Sequence, residues 1–110
     1  MAGSARKALW YLYVVRTVEG FLYTGISTDV ARRFTEHLSQ GRQTARYLLA
    51  HKPEAIAFSK AIGGRSLAQK VEYHFKRLKK KEKEWIVASK QLVFDRESGR
   101  IKIRAGDARK

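Results

Sequence analysis

The chain has 110 residues, 44% of them hydrophobic, enough for one domain around a single modest core. It contains no cysteine, which excludes disulfides, thiolate metal sites and cysteine nucleophiles. Twenty-four Lys and Arg against ten Asp and Glu leave a net charge of +14, a field that attracts polyanions and makes nucleic acid the first partner to expect.

In chain order, residues 1–8 read as a basic N-terminal extension ahead of one domain over 9–90. Trp10 to Arg16 is rich in aromatic and β-branched residues and predicts a strand. Val18-Glu19-Gly20 predicts a tight loop with Gly20 left-handed, and Phe21 to Ile26 is the return strand. Thr28 or Asp29 can cap a helix running to about Ser39, with Val30, Phe34 and Leu38 as its apolar stripe and Gly41 as its stop. Residues 42–53 are basic and irregular, with a short helical turn around 45–50 and Pro53 closing the stretch. Ala55 to Phe58 predicts a third strand. Gly63-Gly64 is a turn, and Ser66 with Gln69 forms a capping box that opens a helix striped by Leu67, Val71, Phe75 and Leu78. A last helix, Lys81 to Ser89, offers Trp85 and Ile86 to the core. Residues 91–110 form a basic tail, in which 92–94 and 101–103 can pair across Ser98-Gly99. The order β-β-α-β-α-α describes an α+β fold of two layers, a three-stranded antiparallel sheet flanked by helices.

The run from Lys79 to Lys83 reads as a solvated helix edge. Apolar runs are only a few residues long, far below the roughly 20 that a membrane span requires, and the amino terminus lacks an apolar secretory core. The expectation is a cytoplasmic monomer with no membrane contact.

The tight loop sets the hairpin register, with Tyr13 opposite Gly25, Val15 opposite Tyr23 and Tyr11 opposite Ser27. Strand side chains alternate, so Tyr11, Tyr13, Val15, Tyr23 and Gly25 share one face. Leu12, Val14, Leu22, Thr24 and Ile26 share the other, the expected core face. The tyrosines then gather on the far side, with Gly25 as an open floor beside Tyr13. On the next helix Arg32 points away from the apolar stripe, while Arg33 and His37 stack on its flank. Glu72 takes a flank position on its own helix. Hydroxyl, imidazole, guanidinium and carboxylate are parts suited to cutting a phosphodiester, since they can activate water, hold phosphate and bind a hard cation. From the residues alone the bland alternatives stay open: tyrosines as cross-strand packing, and Glu72 as the i,i+4 partner of Lys76.

At these positions the sequence resembles the GIY-YIG nucleases, most closely the small stand-alone bacterial and archaeal YhbQ-like members. Tyr11-Leu12-Tyr13 resembles the first family tripeptide and Tyr23-Thr24-Gly25 the second. "TDVARRFTEH" resembles the arginine-bearing helix, and "SLAQKVEYHFK" the segment with the metal-binding glutamate. The likeness spans about residues 9–88. It implies a phosphodiesterase using Mg²⁺ or Mn²⁺, with Tyr13, Tyr23, Arg33, His37 and Glu72 catalytic and Glu72 the metal ligand. Gly25, Arg32, Arg42, Arg46 and Lys76 are the expected nucleic-acid contacts. DNA is the expected substrate and RNA the alternative, cut without strict sequence specificity in repair or processing; the rival reading is a binding domain that keeps the fold without the activity. Two positions depart from the family pattern, Tyr11 at the first motif glycine and Ile26 where some members carry lysine, and the chain has no asparagine.

Overall fold

A computed structural model describes residues 8–103. Residues 1–7 of the expected N-terminal extension and 104–110 of the expected tail lie outside the described residues. Strands β1 (Trp10–Thr17) and β2 (Leu22–Ser27) form the hairpin in the register read above, with Tyr13 opposite Gly25 and Val15 opposite Tyr23. Gly20 has φ +94°, the left-handed conformation that its lack of a Cβ permits. Helices α1 (Val30–Ser39) and α2 (Arg46–Ala50) follow, then β3 (Pro53–Gly63), α3 (Arg65–Lys76), α4 (Lys80–Ser89), β4 (Val93–Phe94) and β5 (Ile101–Lys102). The sheet order is β2-β1-β3, all antiparallel, and the fold is α+β.

Three expected boundaries shift. The third strand runs over eleven residues and Pro53 begins it; as an edge strand it tolerates the missing N–H of a proline at its first position. Helix α3 opens one residue before Ser66, at Arg65 with Gly64 as an uncapped N-cap, so the Ser66–Gln69 capping box does not form. Gln40, at φ 58°, ends α1 rather than Gly41. Its amide donates to the carbonyls of His37 and Leu48 at 3.1 and 3.0 Å; that pair of bonds stabilises the strained left-handed backbone.

Strand β1 is central and is buried on both faces, so the expectation of a single core face is corrected. Leu12 and Val14 pack with Phe58, Ile62, Val71, Phe75 and Ile86 in the larger core beneath α3 and α4. Tyr13 and Val15 pack with Leu48, Tyr23, Val30 and Phe34 in a smaller core beneath α1 and α2. An Arg16–Glu84 pair with two parallel hydrogen bonds, at 2.8 and 3.0 Å, ties the hairpin to α4.

The β4–β5 pair sits against α3. Asp95 accepts from the backbone N–H groups of Glu97 and Ser98, both at 2.8 Å, and these bonds hold its carboxyl below the usual range. The turn they close brings Gly99, at φ +75°, onto the backbone of α3, where a Cβ would meet Lys70 Cβ at 2.5 Å and Val71 N at 2.9 Å. A rigid helix backbone cannot retreat from that contact. Gly99→Ala is therefore expected to lower stability by at least about 2 kcal/mol, combining backbone strain with overpacking. Urea unfolding measures it, and an unchanged midpoint would show that the turn does not dock on α3.

Candidate active site

Tyr13 lies at the middle of the central strand and is 1% exposed. Its ring covers Gly25: a Cβ there would stand 2.5 Å from the hydroxyl and 2.7 Å from Cζ. The expected open floor is thus corrected, because the glycine is where the phenol lies. Any larger residue opposite Tyr13 would lift the ring out of the smaller core.

Asp29, one of the two expected caps, accepts from the Arg32 N–H at 3.0 Å and so fixes where α1 begins. The helix phase that results differs from the expected one. Leu38 is 48% exposed and His37 is 0% exposed, so the buried line runs Val30, Arg33, Phe34, His37. His37 therefore lies at the centre of the inward face, not on its flank. The reason is polar rather than apolar: both imidazole nitrogens find partners inside. Nδ1 accepts from the backbone N–H of Ala45 at 3.3 Å, which puts the neutral ring's proton on Nε2. Nε2 in turn lies 3.0 Å from the Tyr13 hydroxyl, and as the protonated nitrogen it donates to that oxygen. Burial, and then the charge of Arg33, pull the His37 pKa from an ordinary 6.5 to about 4. The ring is neutral at pH 7.

Burial also raises the Tyr13 pKa, and Tyr23 and Glu72 push the same way, while Arg33 pulls it down. Tyr13 is therefore a phenol at neutral pH. Its proton is free to point away from His37. Arg33 is anchored by Glu36 at 2.8 Å and by the Gln43 carbonyl at 2.6 Å. That pairing holds the Glu36 carboxyl below its usual range. Tyr23 packs edge-on to His37, with ring centres 5.7 Å apart, and lies 6.4 Å from the Tyr13 ring.

Tyr13, Tyr23, Arg33 and His37 thus come together from β1, β2 and α1, and Glu72 on α3 is near enough for its charge to act on Tyr13. Glu72 is partly buried and is paired with Lys76 at 3.1 Å, so the bland pairing read from the spacing exists as well. Arg32, Arg42, Arg46 and Lys76 are exposed, and Arg32 makes a long 3.7 Å pair with Glu36. Among the described residues no three His, Cys, Asp or Glu side chains gather as a metal cage. A lone carboxylate nonetheless suits Mg²⁺, which keeps several waters and is completed by substrate phosphates. Among the described residues only Oε2 of Glu72 is in a salt bridge, with the Lys76 ammonium, and a carboxylate is a donor that fits a hard cation.

Two participants escaped the sequence reading. Glu36 holds Arg33, and the i,i+3 spacing in "RRFTE" was a usable signal for it. Tyr47 stacks on Tyr23, centres 6.0 Å apart and planes at 17°; nothing local in the sequence announces a contact between β2 and α2.

Two expectations follow. Gly25→Val should destabilise by about 1–3 kcal/mol, the usual range for overpacking, and displace the Tyr13 ring; an unchanged urea midpoint would mean the ring does not rest on Gly25. For His37, the folded pKa lies below the unfolded one, so the unfolded chain binds more protons between about 4 and 6.5. Stability should therefore be complete above that window and fall as pH drops through it, by on the order of 3 kcal/mol. Urea titrations across the window test this, and an imidazole NMR titration of His37 at its ordinary value would overturn it.

A family model for the GIY-YIG catalytic domain matches residues 9–85. A UPF0213 protein of Enterobacter sp. (strain 638) is 51% identical over 79 residues, covering 72% of this chain and 76% of its own. One from Citrobacter koseri is 49% identical over 78 residues, covering 71% and 76%. The UPF0213 protein YhbQ of Salmonella typhimurium is 44% identical over 82 residues, covering 74% and 80%. No solved structure gives a significant match.

Proposed function

The chain belongs to the GIY-YIG family of nuclease domains, and on that premise we propose that it is a divalent-metal-dependent endonuclease. Its substrate is DNA, with RNA as the alternative, cut without strict sequence specificity in nucleic-acid repair or processing. The observation that carries this reading is the Tyr13 hydroxyl, which His37 holds at 3.0 Å and on which the charges of Arg33 and Glu72 both act. An aromatic hairpin that merely packs has no use for a buried phenol bonded to a buried imidazole. The net charge of +14 supports a polyanionic substrate.

Tyr13 takes the proton of the attacking water. For that it must first release its own phenolic proton to solvent; burial opposes the phenolate, and the His37 Nε2–H and the Arg33 guanidinium stabilise it. His37 is a positioning residue: both of its ring nitrogens are engaged, so it acts on water through Tyr13. Tyr23 packs against both rings and keeps them in place. Arg33, already partly desolvated and held by Glu36, stabilises the negative charge that grows on the phosphate oxygens. Glu72 would hold the Mg²⁺ or Mn²⁺, whose positive charge polarises the phosphate and eases departure of the 3′ oxygen. Lys76 neutralises Glu72 at rest and is free to swing to phosphate, being half exposed. Arg32, Arg42 and Arg46 supply backbone contacts that carry no sequence information.

The test is nicking of plasmid and single-stranded DNA at fixed Mg²⁺. Glu72→Ala should abolish cutting and leave low-salt binding intact. Tyr13→Phe should slow turnover on the order of 10²–10⁴-fold, the span of a positioned proton-transfer group, and Arg33→Ala should harm turnover far more than Arg32→Ala. Parent-level cutting by Glu72→Ala would sink the proposal.

A further inference from the structure

Glu72 and Lys76 lie on one side of the buried stripe of α3, and Lys70, His74 and Arg77 line up on the other. The β4–β5 hairpin closes over that second side. Gly99 rests on Lys70 and Val71, and Lys70 donates to the Glu97 carbonyl at 3.0 Å. Between hairpin and helix lies a pocket of about 170 Å³ lined by His74, Arg77, Leu78, Arg100 and Ile101. Leu78 and Ile101 are half-buried and form its apolar part, while both arginines are exposed. No carboxylate lines it, and the ion pairs among the described residues belong to Arg16, Arg32, Arg33, His51 and Lys76. The Arg77 guanidinium stands 5.4 Å over the Tyr73 ring, a contact that orders it without neutralising it. Cations in the last turn of α3 also complement its macrodipole. That accounts for His74 and Arg77, but not for Arg100, which another element brings to the same place.

We propose that this pocket is a phosphate-binding site, through which the protein grips the backbone of a nucleic acid away from the point of cutting. The inference rests on the nuclease reading for the nature of the polyanion, and it adds a contact apart from Arg32, Arg42, Arg46 and Lys76. Two guanidiniums sharing one pocket repel each other, and an anion between them removes that cost. Each presents paired N–H donors that match phosphate oxygens, and the imidazole adds a ring N–H. Lys76 and Arg77 are adjacent in sequence and diverge by about 100° around the helix axis. A strand lying on Lys76 at the active-site side therefore crosses α3, about 10–12 Å wide with its side chains, and reaches the pocket. Backbone contacts of this kind carry no sequence information. Arg100 and Ile101 lie beyond residue 85, where the match to the family's catalytic domain ends. The hairpin thus adds a grip that the matched residues alone do not complete.

The test reads binding apart from cutting. Fluorescence anisotropy of the full chain, with EDTA present, uses labelled blunt DNA and RNA duplexes of one length. Arg100→Gln and Arg77→Gln each remove a guanidinium and keep a polar side chain, and thermal unfolding confirms that each still folds. On the duplex that the parent binds more tightly, each should weaken binding about tenfold at 0.1 M salt. Each should also make the log–log salt slope shallower by about 0.9 on DNA, the loss of one phosphate contact. Arg65→Gln removes the same charge outside the pocket, about 18 Å from Arg77 along α3 at 1.5 Å per residue, and should change both quantities far less. Equal losses in Arg65→Gln would mean that net charge alone counts. Parent-level binding by Arg100→Gln and Arg77→Gln would leave the pocket to an acidic protein. Either result overturns the grip, as does a parent that binds neither duplex. The two readings fail separately. Binding weakened in Arg100→Gln, in a protein that cuts nothing, keeps the grip and removes the nuclease; cutting by a protein whose pocket variants bind like the parent does the reverse.

Discussion

A neutral imidazole fastened at both nitrogens inside the protein determines much else in this structure. An uncharged histidine can be buried only if its donor and its acceptor each find a partner. The Ala45 N–H and the Tyr13 hydroxyl are those partners. Satisfying the first draws the segment after α1 back across the helix. Thr44 donating to the Glu36 carbonyl at 2.9 Å and Gln40 donating to Leu48 then fasten it there. Satisfying the second fixes the phenol of Tyr13, and Gly25 must be bare so that the ring can lie where the bond requires. One buried ring thus sets the rotation of α1, the path of residues 40–45 and the position of a hydroxyl on another element.

The two faces of β1 divide the labour. The larger core, aliphatic and aromatic, supplies ordinary hydrophobic stabilisation. The smaller one mixes aliphatic side chains with two tyrosines, and the buried His37 bonds one of them. The hydrogen bonds of that imidazole specify a single arrangement there. Glu72 bridges the division. It projects from α3, whose Val71 and Phe75 belong to the larger core, yet its charge acts on Tyr13 in the smaller one. Placing Glu72 and Tyr13 as found therefore needs both cores formed.

Much of this was legible from residues. The hairpin register followed from loop length and strand alternation, and it placed Tyr13 opposite Gly25 and Val15 opposite Tyr23, as found. The family tripeptides, the Arg33 helix and the Glu72 segment came in order, and the sheet and its flanking helices match. The phase of α1 was not legible, because apolar periodicity assigns Leu38 inward and cannot register a histidine buried by its hydrogen bonds. Gly25 was singled out correctly but explained wrongly: an absent side chain looks like empty space until the ring that fills it is seen. Tyr47 was invisible for a different reason, since its partner Tyr23 is 24 positions away on another element and no periodicity links them.

The docking of Gly99 has a mechanical side. The turn between β4 and β5 presses without an intervening side chain on Lys70 and Val71, the two residues that precede Glu72. Lys70 also reaches back to the Glu97 carbonyl at 3.0 Å, so turn and helix are clamped from both directions. The last described strand is thereby a handle on the helix that carries the carboxylate. A load applied to the chain beyond residue 103, whether from a fused domain, a tether or a surface attachment, would be felt at Glu72 before it reached the hairpin tyrosines. A carrier attached at that end would best be joined through a slack linker.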